Sequence, residues 1–270
     1  MRKDVTIAFR TVGERTEQLC INRLAQEVPE KNIQITRNLP LHESTRVVCE
    51  KAVGAGKKYT IMIGADYIPR VGMIQDLCEM ADQMTGDWLF VKGTIIDKFL
   101  MELRGDMGGP MLYPTKLLEG WLQILPNIEN KTTTEASCQS YYKQKGYRVL
   151  RAKTWLALHD FEQHYRDIYR SMFVGGRKHN KFRPILIPRW RARSQEDPDF
   201  KVAEYAHMEG HLYNQRQRRR GIIEADFRKD YGWLKSPFCH WTKEPLDPDA
   251  DYDVHKFAHL AYENQKGKVI

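Results

Sequence analysis

The sequence predicts an α/β fold: a Rossmann-like, mostly parallel central sheet with helices on both faces and a C-terminal helical or irregular extension. Two observations carry this. Short β-branched and aromatic runs alternate with helical stripes of apolar residues from Val5 to Met84, the order that builds parallel strands joined by crossover helices. The 270 residues, 41% hydrophobic and 29% charged, suffice for one large packed α/β domain with an elaborated tail. No internal repeat or low-complexity tract breaks the pattern.

The elements follow in order. Val5 to Phe9 reads as a strand, and Leu19, Cys20, Leu24, Ala25 and Val28 then share one helical stripe. Ile33 to Thr36 is a second brief strand. Leu41 to Ala55 is a helix with Val47, Val48, Ala52 and Val53 inward, stopped by Gly54-Ala-Gly56. Tyr59 to Ile63 is the third strand, and Met73 to Met84 the next helix. After a strand at Trp88 to Val91 the alternation stops, and the stretch through Gly105-Asp-Met-Gly-Gly-Pro110 reads as loop between short strands. Glu135 to Lys145 is helical, Tyr147 to Leu150 and Trp155 to Leu158 are strands, and Phe161 to Phe173 is a helix. A last helix is expected near Val202 to Arg219. The division expected is 1–179 for the α/β unit and 180–270 for a basic linker and extension packed on the same domain.

Charge is uneven. Residues 1–176 carry 24 Lys/Arg against 21 Asp/Glu, residues 177–193 seven against none, and residues 194–270 twelve against 14. Nearly all of the net +8 therefore sits in Arg177, Lys178, Lys181, Arg183, Arg189, Arg191 and Arg193, with a second cluster at Arg216-Gln-Arg-Arg-Arg220 that later acids offset. Concentrated cations attract phosphates of a nucleotide or a nucleic acid, or form a solvated loop. Five cysteines without Cys-x-x-Cys spacing read as reduced thiols. No window reaches a membrane span or a secretory leader, so a cytoplasmic protein is expected.

In parallel sheets ligands collect beyond the carboxyl ends of strands. Asp66 emerges there after Tyr59-Thr-Ile-Met-Ile-Gly-Ala, where a carboxylate either caps the following turn or holds Mg²⁺ or Mn²⁺. Glu135 opens a helix, a place favoured by the dipole and open to a general base. His159 follows an apolar strand, as a surface residue or as a metal ligand.

The run Tyr59 to Ile74, with Asp66-Tyr-Ile-Pro-Arg-Val-Gly72, resembles the strand, acidic motif and Pro-x-x-Gly turn of GT-A glycosyltransferases, especially the family-two group. The resemblance covers Val5 to about His179. It implies that Ala65 and Asp66 contact the donor and that Asp66 holds the metal, although Gly64 stands where the first Asp of Asp-x-Asp would be. Thr132 to Val149, with Gly146-Tyr147 eleven residues after Glu135, resembles the family's Glu-Asp helix and implies Glu135 as the base of an inverting transfer. His159 resembles the histidine that closes the metal site. Arg10, Thr11, Gly13 and Arg15 stand at the family's nucleotide loop, Arg37 where an acidic base contact is usual, and Arg177 and Lys178 in a glycine-hinged segment that could fold over the diphosphate.

The expected cofactors are Mn²⁺ or Mg²⁺ and a nucleotide-sugar, with a UDP-sugar favoured. The acceptor is open between hydroxymethylated DNA, as in a bacteriophage DNA-modifying enzyme, and a cell-surface or lipid-linked oligosaccharide. A non-catalytic nucleic-acid-binding protein on a degenerate GT-A scaffold is the alternative of another class.

Overall fold

The structure, a computed structural model, describes residues 1–100, 108–128, 134–178, 180–216 and 229–258. The strands are β1 (Val5–Thr11), β2 (Ile33–Arg37), β3 (Tyr59–Gly64), β4 (Tyr67–Pro69), β5 (Trp88–Asp97), β6 (Gly108–Pro114) and β7 (Arg148–His159). The helices are α1 (Glu17–Ala25), α2 (Leu41–Ala55), α3 (Met73–Asp82), α4 (Thr115–Ile124), α5 (Thr134–Gln144), α6 (Tyr165–Lys178), α7 (Arg183–Arg193) and α8 (Asp199–Arg216). All seven strands join one sheet in the order β2-β1-β3-β6-β5-β7-β4.

The α/β class and the helices on both faces stand, but the sheet is mixed. β1 pairs in parallel with β2 and β3, and β5 with β7, whereas β6 runs antiparallel to both β3 and β5, and β4 antiparallel to β7. No crossover helix separates β5 from β6 among the described residues, and strands joined without a crossover pair antiparallel. β1, β3, β5 and β7 still point the same way, so their carboxyl ends share one edge.

Alternation along the strands sorts the core into two layers. Val5, Ile7 and Phe9 of β1 with Ile61 and Ile63 of β3 face α1 and α3, burying Cys20, Leu24, Met73, Leu77 and Cys78. Ala8 and Met62 point the other way, onto Val48, Cys49, Leu117, Leu118, Trp121 and Cys138 of α2, α4 and α5. Cysteines 20, 49, 78 and 138 are buried free thiols, and Cys239 is free and exposed. α2 ends where Gly56 takes φ 62° and donates its N–H to the Val53 carbonyl at 3.0 Å, as its sequence predicts.

Four expectations are corrected. β5 runs on past Val91 to Asp97, because Lys92 and Gly93 continue a buried strand that packs under Leu156. Gly108 to Pro110, at the end of the expected loop, open β6, where a side chain at Gly109 would come within 2.6 Å of the Ile95 Cγ2, while Gly105 to Met107 lie outside the described residues. The two strands expected near 147–158 are one, β7. The glycine-hinged segment is not a loop: α6 continues through Gly175 and Gly176 to Lys178.

Beyond the sheet, α6, α7 and α8 form a helical layer around Tyr169, Phe173, Trp190, Phe200 and Trp233. It is fastened to the end of β5, where Trp190 Nε1 donates to the Phe99 carbonyl at 2.9 Å and Lys98 Nζ reaches Asp199 Oδ2 at 2.5 Å and Asp197 Oδ2 at 2.9 Å. Val254 and Ala258 return to cover Leu19, Ile68, Ile96 and Leu158. Among the described residues no helix is long and apolar enough to cross a membrane.

Candidate functional site

The shared carboxyl edge of β1, β3, β5 and β7 gathers the titratable residues. Asp66 leaves β3 through Ala65, which is fully buried; its N–H donates to the Arg10 carbonyl at 2.9 Å and its carbonyl accepts from Thr16 Oγ1 at 2.5 Å. The Asp66 backbone is held in turn by Asp160, whose N–H donates to the Asp66 carbonyl at 3.1 Å. β4 pairs with β7 so that Tyr67 lies opposite His159, their ring centroids 4.5 Å apart. A side chain at position 64 would run into the Asp66 carboxylate, so Gly64 leaves Asp66 the space that a first acidic residue would fill.

His159 is the hub. Its Nε2 lies 3.3 Å from Asp66 Oδ2, and its Nδ1 lies 2.8 Å from Asp97 Oδ2 and 3.7 Å from Asp160 Oδ2. Asp66, His159 and Asp160 each offer one ligand atom, all within 4.8 Å of one another. Two carboxylates and an imidazole are a donor set that could hold a divalent cation. Asp97 and Asp160 were missed in the sequence. Asp160 had a signal, standing next to His159; Asp97 did not, because β5 was read as ending six residues earlier.

The charges are interdependent. Burial works against the imidazolium, but Asp160, Tyr67 and Asp66 outweigh it and hold the His159 pKa well above its ordinary value. Burial, reinforced by Asp97 and Asp66, pushes Asp160 up to about 7 against the pull of His159. Burial also opposes ionisation of Asp66, yet its bond to His159 and the charges of His159 and Arg10 win and lower its pKa.

Arg10, expected at a nucleotide loop, and Glu135, expected as a base, meet each other in the structure. Arg10 is the penultimate residue of β1, Glu135 lies in the first turn of α5, and the two side chains form an ion pair. Burial alone would lower the Arg10 pKa, but Glu135 first and Asp66 next raise it, so the guanidinium stands between the two carboxylates.

The other nucleotide-loop residues are engaged within the chain. Thr11 Oγ1 donates to Glu14 Oε2 at 2.8 Å and accepts from the Gly13 N–H at 3.0 Å, closing the turn on itself. Arg15 is bound by Glu162 Oε2 at 2.6 Å and by the Glu244 carbonyl at 2.8 Å, and Arg37 pairs with Glu17. Arg177 lies under the Tyr213 ring, 4.6 Å from its centroid. Burial lowers the pKa of both Arg177 and Lys178. Both close α6, roughly 18 Å along the helix from Tyr165 at its start. His179 and residues 217–220 of the second basic cluster lie outside the described residues.

No protein-family model matches this chain, and no curated protein does. Solved structures of similar shape include a cytidylyltransferase from Leptospira borgpetersenii (10% identity, 98% of this chain and 96% of the other, TM-score 0.43). Another is a glycosyltransferase involved in glycosylation of the major capsid of PBCV-1 (9% identity, 57% and 92%, TM-score 0.38). A third is glucosyl-3-phosphoglycerate synthase from Mycobacterium tuberculosis, in complex with Mn²⁺, uridine diphosphate and phosphoglyceric acid (10% identity, 58% and 70%, TM-score 0.37). Likeness at this level carries no inference about what this chain binds.

Proposed function

We propose that this chain is a metal-dependent glycosyltransferase that moves a sugar from a nucleotide-sugar to an acceptor hydroxyl. The observation that carries the reading is the convergence of Asp66, His159 and Asp160 within 4.8 Å at the carboxyl edge of the sheet. The Arg10–Glu135 ion pair stands beside it. Asp66, His159 and Asp160 would hold Mn²⁺ or Mg²⁺, and a cation bound there supplies positive charge against the donor diphosphate.

The chain's own residues do the rest. The acceptor oxygen attacks the anomeric carbon, the bond from that carbon to the diphosphate oxygen breaks, and the acceptor proton passes to the Glu135 carboxylate. A single displacement of this kind inverts the anomeric centre. Arg10 pairs with Glu135 and holds its carboxylate near the end of β1, and the charge of Arg10 also faces Asp66. The free cysteines suit a reducing cytoplasm.

For the acceptor, the basic segment is the feature that favours a polyanion such as hydroxymethylated DNA. Arg177, Lys181 and Arg193 lie against the rings of Tyr213, Phe182 and Phe200, and Arg191 pairs with Glu204, so much of that charge is used within the chain. DNA and oligosaccharide acceptors are therefore tested side by side. The experiment is a thermal-shift panel of UDP-, GDP-, CMP- and dTDP-sugars with and without Mn²⁺, followed by mass spectrometry of both acceptors with the stabilising donor. Metal-dependent stabilisation by one donor and a mass gain of one sugar are expected; no stabilisation by any donor overturns the reading.

A further inference from the structure

Asp97 ends β5 with its side chain only 3% exposed, and each of its oxygens has a separate task. Oδ1 accepts the backbone N–H groups of Phe99 at 2.9 Å and Leu100 at 2.8 Å, which fixes the carboxylate plane. Oδ2 faces His159 Nδ1 at 2.8 Å. The frame around this contact is rigid: Asp97 and His159 are register partners between β5 and β7, and the Lys98 N–H donates to the His159 carbonyl at 3.0 Å. Lys98 itself is anchored through Nζ to Asp197 and Asp199.

An ionised carboxylate only accepts hydrogen bonds, so the ring nitrogen that faces it must carry the proton. The other nitrogen, Nε2, faces Asp66 Oδ2 across a longer 3.3 Å, so of the two ring protons the one at Nε2 is the more weakly held and the one that a cation beside Asp66 displaces. Asp160 Oδ2 approaches the same Nδ1 from 3.7 Å, which favours the same tautomer. We propose that Asp97 is a positioning residue that sets His159 in the Nδ1–H tautomer, so that Nε2 is the nitrogen offered to a divalent cation beside Asp66. The inference rests on the cation reading of the site, and it assigns to Asp97 a part that the ligand set alone does not contain.

Asp97→Asn tests it with little change of shape. The amide oxygen still takes the Phe99 and Leu100 N–H groups, because the opposite flip would set NH₂ against two donors. The amide NH₂ then faces Nδ1, which must become the acceptor and send the ring proton to Nε2, into the ligand direction. Long-range ¹⁵N–¹H correlation of the metal-free protein, at a pH high enough for the ring to be neutral, should show Nδ1–H in the wild type and Nε2–H in Asp97→Asn. Mn²⁺ titration followed by electron paramagnetic resonance should show affinity falling about 10- to 100-fold in the variant.

Asp97→Ala is the second variant; it removes the acceptor altogether and should give a mixture of tautomers with weakened Mn²⁺ binding. A wild-type ring found as Nε2–H, or an Asp97→Asn ring that keeps Nδ1–H, overturns the proposal, as does variant Mn²⁺ affinity equal to that of the wild type. A wild-type protein that takes up no Mn²⁺ overturns the cation reading and with it the ligand half of this inference, while the NMR spectrum decides the tautomer by itself.

Discussion

Gly176 and Gly175, adjacent in α6, should respond oppositely to the same substitution. A Cβ on Gly176 would lie 2.9 Å from the carbonyl carbon of His207 and 3.0 Å from its Cα, and closer still to the carbonyl oxygen. Those atoms are backbone of α8 and cannot swing aside as a side chain would. The contact is reciprocal, since a Cβ on Gly210 of α8 would lie 2.9 Å from the Phe173 carbonyl carbon. Gly176→Ala therefore has to part the two helices by roughly 1 Å, an overpacking that costs about 1–3 kcal/mol. Better helix propensity returns up to about 1 kcal/mol. At the middle of that cost range, about 2 kcal/mol, the net loss of about 1–2 kcal/mol should lower Tm by roughly 2–8 °C.

Gly175 is the internal control: its nearest neighbour would be His207 Nδ1 at 3.9 Å, an ordinary contact, so Gly175→Ala gains propensity without a clash and should be neutral or stabilising. Urea and thermal unfolding followed by circular dichroism compare the pair. Gly176→Ala as stable as Gly175→Ala would refute the close packing of α6 on α8 and return the two glycines to a hinge.

Three further outcomes are expected. Asp199, 2% exposed, compensates both Lys98 and Lys243, whose Nζ atoms lie at 2.5 and 2.6 Å. Asp199→Ala should cost about 3–5 kcal/mol by removing the buried carboxylate that faces both cations, leaving Lys98 with Asp197 alone, and a loss below about 1 kcal/mol in urea unfolding would contradict that ledger. In the metal-free protein burial disfavours the His159 imidazolium, but Asp160, Tyr67 and Asp66 raise its pKa well above the ordinary 6.5. Mn²⁺ must then displace a proton, so affinity should rise with pH from about 6 to about 8 and calorimetry should show proton release; flat affinity would speak against His159 as a ligand. Glu135→Gln should preserve the donor-induced thermal shift while lowering the transfer rate about 100- to 10,000-fold, and a rate within about tenfold of wild type would remove Glu135 as the base.

What the sequence made legible was set by the kind of signal each residue leaves. β3 and Asp66 were readable because an uninterrupted apolar run ends in a carboxylate, and Leu41 to Ala55 because the stripe and the glycine stop agree. The unread parts turn on glycine and proline. Gly93 and Gly109 carry the same letter as turn glycines, yet they mark close approach inside strands, under Leu156 and against Ile95. Gly176 repeats the point between helices. β4 is only three residues long and ends in Pro69, so its period could not show. Asp97 was hidden by the early end assigned to β5, and the Arg10–Glu135 pair joins residues 125 positions apart, a contact that no local pattern records.

The most direct measurement is calorimetric titration of a UDP-sugar, then of the other nucleotide-sugars, into wild-type protein and Asp66→Asn, each with and without Mn²⁺. A donor that binds the wild type only when Mn²⁺ is present, and Asp66→Asn weakly or not at all, is the expected result. Equal binding without metal, or undiminished metal-dependent binding to Asp66→Asn, would contradict a cation held by Asp66, His159 and Asp160 as the seat of donor recognition.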